Sequence, residues 1–214
     1  MSVPTNIGVL GGGRMGGGIA HALQGTLMIT LLTTVIAVPI GIMAAIMLVE
    51  YPNSKLVKPT SFMVDILTGV PSIVAALFIY ALWVATMGFQ RSGLAVSLAL
   101  VLLMIPVIVR STEEMLKLVP DELREASYAL GVPKWKTIVR IVLPTAASGM
   151  VSGVFLAIAR VVGETAPVLL LVGISDRMNY DLFNGNMSSL PLFMLDMWKS
   201  GSAQAVTDRL WGAA

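Results

Sequence analysis

Cysteine is absent from this chain, which excludes both a disulfide framework and a thiolate metal site. Histidine occurs once, at His21, too few to build an imidazole metal centre, and no metal or other cofactor is expected. Charge is scarce: Asp, Glu, Lys and Arg make up 12% of the 214 residues, where a soluble domain carries roughly a quarter. The net charge is only +2 and the cations do not gather into a patch, so no nucleic-acid partner is expected. The phosphate-cradling pattern G-x-x-x-x-G-K-[ST] does not occur, so the chain is not expected to hydrolyse ATP or to be an enzyme by itself. Residues 1–13 carry no Lys or Arg and lead into no short apolar core with a cleavage signal, so a signal peptide is not expected.

Apolar residues fill the space that charge leaves. They make up 56% of the chain, and the mean hydropathy is +0.85. Residues 15–49, 66–90, 92–109 and 141–159 contain no charged side chain. About 20 predominantly apolar residues cross a bilayer core as a helix, so the chain reads as an all-α, polytopic membrane protein with four spans. The first is expected from about Thr26 to Val49, after a flexible stretch at residues 8–25 holding eight glycines. The second lies within Ser61 to Phe89, the third runs from about Gly93 to Val109, and the fourth from about Thr145 to Val172. Pro39, Pro71, Pro106 and Pro167 place one proline in each, and each invites a kink. Residues 174–214 are turn-rich and too polar to cross.

Orientation follows from Lys and Arg in the short loops. Loop 50–59 and the insert 110–140 share a side with eight of them; the opposite side has five. The insert is therefore expected in the cytoplasm and both ends of the chain outside. This divides the chain into an extracytoplasmic lead-in (1–25), a transmembrane domain (26–173) with a cytoplasmic loop at 111–140, and an extracytoplasmic segment (174–214).

Two constellations stand out. Within the insert, Pro120 suits a helix's first turn, and Asp121 and Glu122 suit the positive end of its dipole. Leu123, Ala126, Ser127 and Leu130 share one face, and Gly131 supplies a stop. A helix of about ten residues is too short to stand alone in water, so it must dock on something. Trp135 between Lys134 and Lys136 reads either as an interfacial anchor or as part of that docking surface. In the fourth span, Arg160 and Glu164 are spaced one helical turn apart in A-I-A-R-V-V-G-E-T-A-P. A charge at mid-span costs roughly 2.5–3.5 kcal/mol on insertion scales. Either the pair neutralises itself and holds helices together, or Arg160 is an anion site, since guanidinium matches phosphate oxygens bidentately, with Glu164 orienting it or weakening its grip.

The spacing Glu125-Ala126-Ser127, Gly131, Ile141, Leu143-Pro144 resembles the E-A-A, three positions, G, nine positions, I-x-L-P signature of ABC importer permeases, with serine for the second alanine. The resemblance implies the type I importer permease fold and makes Glu125, Ala126, Ser127 and Gly131 part of a coupling helix that seats on a separate ABC ATPase dimer at the cytoplasmic face. The stretch R-V-V-G-E-T-A-P is similar to a segment of phosphate-specific permeases, more the A-type subunit than its C-type partner. Gly69-Val70-Pro71-Ser72-Ile73-Val74, Pro106–Arg110 with Glu113-Glu114, and Leu190-Pro191-Leu192 match it as well. It implies inorganic phosphate as cargo, with Arg160, Glu164 and Thr165 on its pathway. The implied partners are a second homologous permease subunit, an extracytoplasmic phosphate-binding protein and the lipid bilayer of a prokaryotic inner membrane. Members of the family have six spans, so the chain reads as the central four, a fragment or a truncated product. The alternatives are a permease for another oxyanion, such as sulfate or molybdate, and a non-transporting membrane scaffold.

Residues 6–16, N-I-G-V-L-G-G-G-R-M-G, contain a G-x-G-x-x-G-like run. A dinucleotide site needs an acid about 20 residues later for the ribose, and no Asp or Glu occurs before Glu50. That reading is set aside.

Overall fold

The computed structural model describes residues 14–172, 181–182, 185 and 187–199, with side chains from residue 19 onward. Among these residues every regular element is helical. In chain order they are α1 (Arg14–Glu50), α2 (Val57–Gly69), α3 (Ser72–Ile79) with a π-helical continuation at Tyr80–Thr86, and α4 (Gly93–Lys117). There follow α5 (Asp121–Ala129), α6 (Lys134–Thr137), a π-helical turn at Ile138–Val142, α7 (Leu143–Val162), α8 (Ala166–Leu171) and α9 (Leu190–Lys199).

Three stretches among the described residues are long and apolar enough to cross a membrane: Ile19–Glu50, Gly93–Lys117 and Lys134–Val162. Val57–Gly69 and Ser72–Thr86 supply a fourth only if taken together, because the helix is interrupted between them. The chain is thus a multi-pass helical membrane protein. Its boundaries differ from the sequence expectation in three places. Gly16, Gly17 and Gly18 are helical, since α1 already begins at Arg14; a glycine costs a helix only about 1 kcal/mol, which a long apolar helix overrides. The helix carrying the third span continues to Lys117 rather than stopping near Val109. The fourth stops at Val162, and Pro167 opens α8 in its first turn instead of kinking a continuous helix. Pro39 and Pro106 do lie inside helices, and Pro71 falls in the interruption after α2. The π-helical turn at Ile138–Val142 ends two residues before Pro144. A wider turn accommodates the missing N–H there without ending the helix.

The chain forms two compact units. The first comprises residues 1–32, 72–99 and 162–214. In it α3 packs on α8. Ser97 Oγ donates to the carbonyls of Gly93 (3.0 Å) and Ile29 (3.4 Å), and the Leu190 amide donates to Thr26 Oγ1 (2.9 Å). Gly25 sits so close to the Ser188 carbonyl that a β-carbon would collide with it.

The second unit comprises residues 33–71 and 100–161. Its core joins Ala45 of α1, Val64 of α2, Val109 and Leu116 of α4, Val119, Val142, and Ala146 and Met150 of α7. Small residues let the helices approach: a β-carbon on Gly41 would lie 2.7 Å from Ile108 Cγ2, and one on Gly153 would lie 2.7 Å from Ser111 Cβ. Gly149 and Gly153 form a G-x-x-x-G seam on α7 facing Met115 and Ser111 of α4, the packing device of lipid-embedded helices.

Candidate functional site: a coupling helix and an arginine-lined pocket

The insert folds nearly as its sequence predicts. Pro120 precedes α5, Asp121 and Glu122 occupy its first turn, and Gly131 lies just beyond its end at φ +74°. That left-handed conformation is the one a β-carbon disfavours, which explains a glycine at the stop. Gly131 N donates to the Tyr128 carbonyl (2.9 Å) and Val132 N to the Ser127 carbonyl (3.2 Å), closing the helix end.

The four residues expected on one face divide between two environments. Ser127 is buried, its Oγ 2.8 Å from Thr137 Oγ1, and this pair joins α5 to α6. Leu130 is 83% exposed, and Leu123 and Ala126 are exposed as well. Glu125, Tyr128 and Trp135 add to the open surface. An isolated exposed leucine is ordinary, but several exposed apolar side chains on a short helix form a contiguous surface. Trp135 is 63% exposed and thus fits the docking alternative as well as the interfacial one.

The back of the insert is held by ions. Arg124 donates to Glu50 Oε1 through Nε (3.2 Å) and Nη2 (3.0 Å). It also donates to the carbonyls of Leu116 (3.0 Å) and Val119 (2.7 Å) and to Asp121 Oδ1 (2.9 Å). Lys134 Nζ donates to the Glu50 carbonyl and lies 4.6 Å from the centre of the Tyr51 ring. Neither Arg124 nor Glu50 was picked out by motif reading. The one available signal is that Glu50 is the first acid of the chain, directly after a charge-free window.

Arg160 lies in the last turn of α7 and is exposed. It lines a shallow pocket of about 80 Å³ with Leu67 and Thr68 of α2 and Leu103, Pro106, Val107 and Arg110 of α4. Arg110 is matched by carboxylates: it pairs with Asp65 and with Glu113 (2.6 Å), and Glu113 also accepts from Lys117 (2.7 Å). Arg160 has no carboxylate partner among the described residues of the second unit. Glu164 and Thr165 lie beyond the end of α7, with Thr165 immediately before α8. Helix α7 stops at Val162, so Arg160 and Glu164 do not share one continuous helix. Sequence reading named Arg160 but not Arg110 as a pocket residue; Arg110 looked like the first residue after a span, whereas α4 carries it inside a helix. The glycine run at residues 6–13 lies outside the described residues, and Gly16 belongs to α1.

Long apolar helices, some of them interrupted, and a short polar helix among the described residues define a multi-pass helical membrane protein. Residues 37–198 match the model of the binding-protein-dependent transport system inner membrane component family, and the chain belongs to that family. It is 62% identical over 198 residues to the phosphate transport system permease protein PstA of Mycobacterium leprae (strain TN), covering 92% of this chain and 65% of that protein. It is 61% identical over 201 residues to PstA 1 of Mycobacterium tuberculosis (strain CDC 1551 / Oshkosh), with 94% and 66% covered. Against PstA of Yersinia pestis the identity is 53% over 155 residues, with 72% and 52% covered. The chain therefore spans about two thirds or less of the length of these relatives. Among solved structures, an inward-facing form of the MetNI methionine ABC transporter superposes with a TM-score of 0.69 at 20% identity, covering 92% of this chain and 86% of that one. An amino acid ABC transporter superposes at 0.58 and 19% identity, with 75% of each covered. These likenesses establish the fold alone, one shared with chains of solved ABC transporters.

Proposed function

We propose that the chain is part of a permease subunit of an ATP-driven phosphate importer in a prokaryotic inner membrane. The observation that carries this reading is the open apolar face of α5, in a helix pinned from behind, on a chain of this family. Such a helix is a plug awaiting a socket. The socket is the groove of a separate ABC ATPase dimer on the cytoplasmic side, contacted through Glu125, Ala126 and Leu130, with Ser127 and Gly131 setting the helix's position and end. The relatives named as phosphate permeases support the cargo.

Arg160 is the cation on the phosphate pathway, with Arg110 in the same pocket wall. A guanidinium with no carboxylate partner in its own unit is free to take an oxyanion bidentately, whereas Arg110 is already committed to Asp65 and Glu113. Glu164 and Thr165, at the break between α7 and α8, fit a pathway formed where helices are discontinuous. ATP binding draws the ATPase dimer together, moves α5 and rocks the interrupted spans, while a second homologous permease and an extracytoplasmic phosphate-binding protein complete the importer.

The test is uptake of labelled phosphate by the complete complex. Arg160→Ala is expected to abolish uptake with the complex still assembled, and undiminished uptake sinks the assignment. Competition by sulfate or molybdate as strong as by phosphate redirects the cargo to another oxyanion. Association with the ATPase that survives Glu125→Ala and Gly131→Ala together favours a non-transporting scaffold.

A further inference from the structure

Among the described residues of the insert, Arg124 makes the most side-chain hydrogen bonds, and its acceptors belong to three different pieces of the second unit. Glu50 ends α1, the Leu116 and Val119 carbonyls lie at the end of α4, and Asp121 starts α5. The Arg124 side chain is 13% exposed and that of Glu50 only 4%. Helix C-termini present unpaired carbonyls and negative dipole ends, so a guanidinium there answers two helices at once. Its planar fork fixes direction as well as charge, which an ammonium does not. Lys134 adds a second tie from the far side of the insert, to the Glu50 carbonyl and the Tyr51 ring.

We infer that Arg124 is the positioning residue that transmits displacement of the coupling helix to the transmembrane helices, by way of Glu50 on α1 and the carbonyl end of α4. The geometry closes a mechanical path. The outer face of α5 is open to a partner, and its inner face is gripped by Arg124. The gripped end of α4 lies on the same helix as Pro106 and Arg110, which line the Arg160 pocket. This grip is the directional route by which a push on α5 reaches that pocket wall. Hydrolysis occurs elsewhere, on the partner, so weakening the grip uncouples the two activities and need not stop hydrolysis. This inference rests on the reading of α5 as the ATPase-docking helix.

The experiment measures phosphate transported per ATP hydrolysed by the complete complex reconstituted in liposomes. In Arg124→Ala and Arg124→Lys the ratio is expected to fall about fivefold or more, the low end of typical coupling energies, while ATP hydrolysis persists. Glu50→Gln is expected to give a smaller fall, because the amide oxygen still accepts but carries no charge. A wild-type ratio in assembled Arg124→Ala overturns the inference. Should Arg124→Ala not assemble, wild-type ratios in both Arg124→Lys and Glu50→Gln overturn it equally, since the clamp would then serve folding alone. Failure of the underlying reading is distinguishable: the chain has no native cysteine, so Leu130→Cys gives a single attachment point for a cross-linker. No cross-link to the ATPase sinks the docking reading, whereas a cross-link with an unaltered ratio in the Arg124 variants sinks the clamp alone.

Discussion

The α4–α7 seam and the α5–α6 insert belong to the same unit but are held together by opposite means. The seam has almost no polar chemistry: Gly149 and Gly153 bring α7 against Met115 and Ser111 of α4, and buried Val109, Leu116, Ala146 and Met150 fill the space around them. The insert has little apolar core of its own and is positioned by Arg124, Glu50, Lys134 and the Ser127–Thr137 hydroxyl pair. In lipid, where apolar burial between helices gains little, close approach of backbones carries the association. In the insert, directional hydrogen bonds fix an orientation that packing alone leaves loose. The contrast separates a frame that must not change from a part that must be aimed.

Substitutions that exchange these two modes test the comparison. The largest effect is expected for Gly153→Leu. A first carbon there already meets Ser111 Cβ at 2.7 Å, and overpacking costs about 3 kcal/mol, read as a lower thermal midpoint of the purified protein in detergent. Gly149→Ala sharpens the point, because the atom it meets is the sulfur of a flexible methionine that can swing aside. Its midpoint should stay far closer to wild type than that of Gly153→Ala.

Next comes the buried hydroxyl pair. Thr137→Val leaves Ser127 Oγ without its 2.8 Å partner, at a cost of about 2 kcal/mol for an unsatisfied buried group. Adding Ser127→Ala should restore most of that loss, and a double-mutant cycle that shows simple additivity breaks the argument. Gly131→Ala forces a β-carbon into the φ +74° conformation and should cost about 1 kcal/mol, seen as increased hydrogen exchange at the end of α5. The smallest effect on folding is expected at Leu130: Leu130→Ser should change stability by no more than about 0.5 kcal/mol, while reducing capture of the ATPase in a pull-down. A stability loss as large as that of Thr137→Val would mean that Leu130 is structural.

Much of this was legible in the sequence because lipid imposes simple rules. Charge-free windows located the spans, and Pro120, Asp121, Glu122 and Gly131 bracketed α5 to within a residue or so. The structure departs from the sequence expectation where one continuous helix was expected past Val162. Gly163 and Pro167 flank the interruption after Val162, and Pro167 in the first turn of α8 was the sign that a new helix begins there. With the helix ended, Arg160 and Glu164 fall outside any one continuous helix. Arg124 and Glu50, 74 residues apart, lay beyond any local pattern. Only the meeting of two helix ends brings them together, and spacing along the chain does not encode that.

Leu130 carries a consequence for the life of the subunit outside its complex. A leucine 83% exposed on a short helix is tolerable when covered and a liability when not. Copies synthesised in excess of their neighbours would offer chaperones and proteases a ready handle. On the proposed docking role, the same side chain would then let the cell find and clear the orphans.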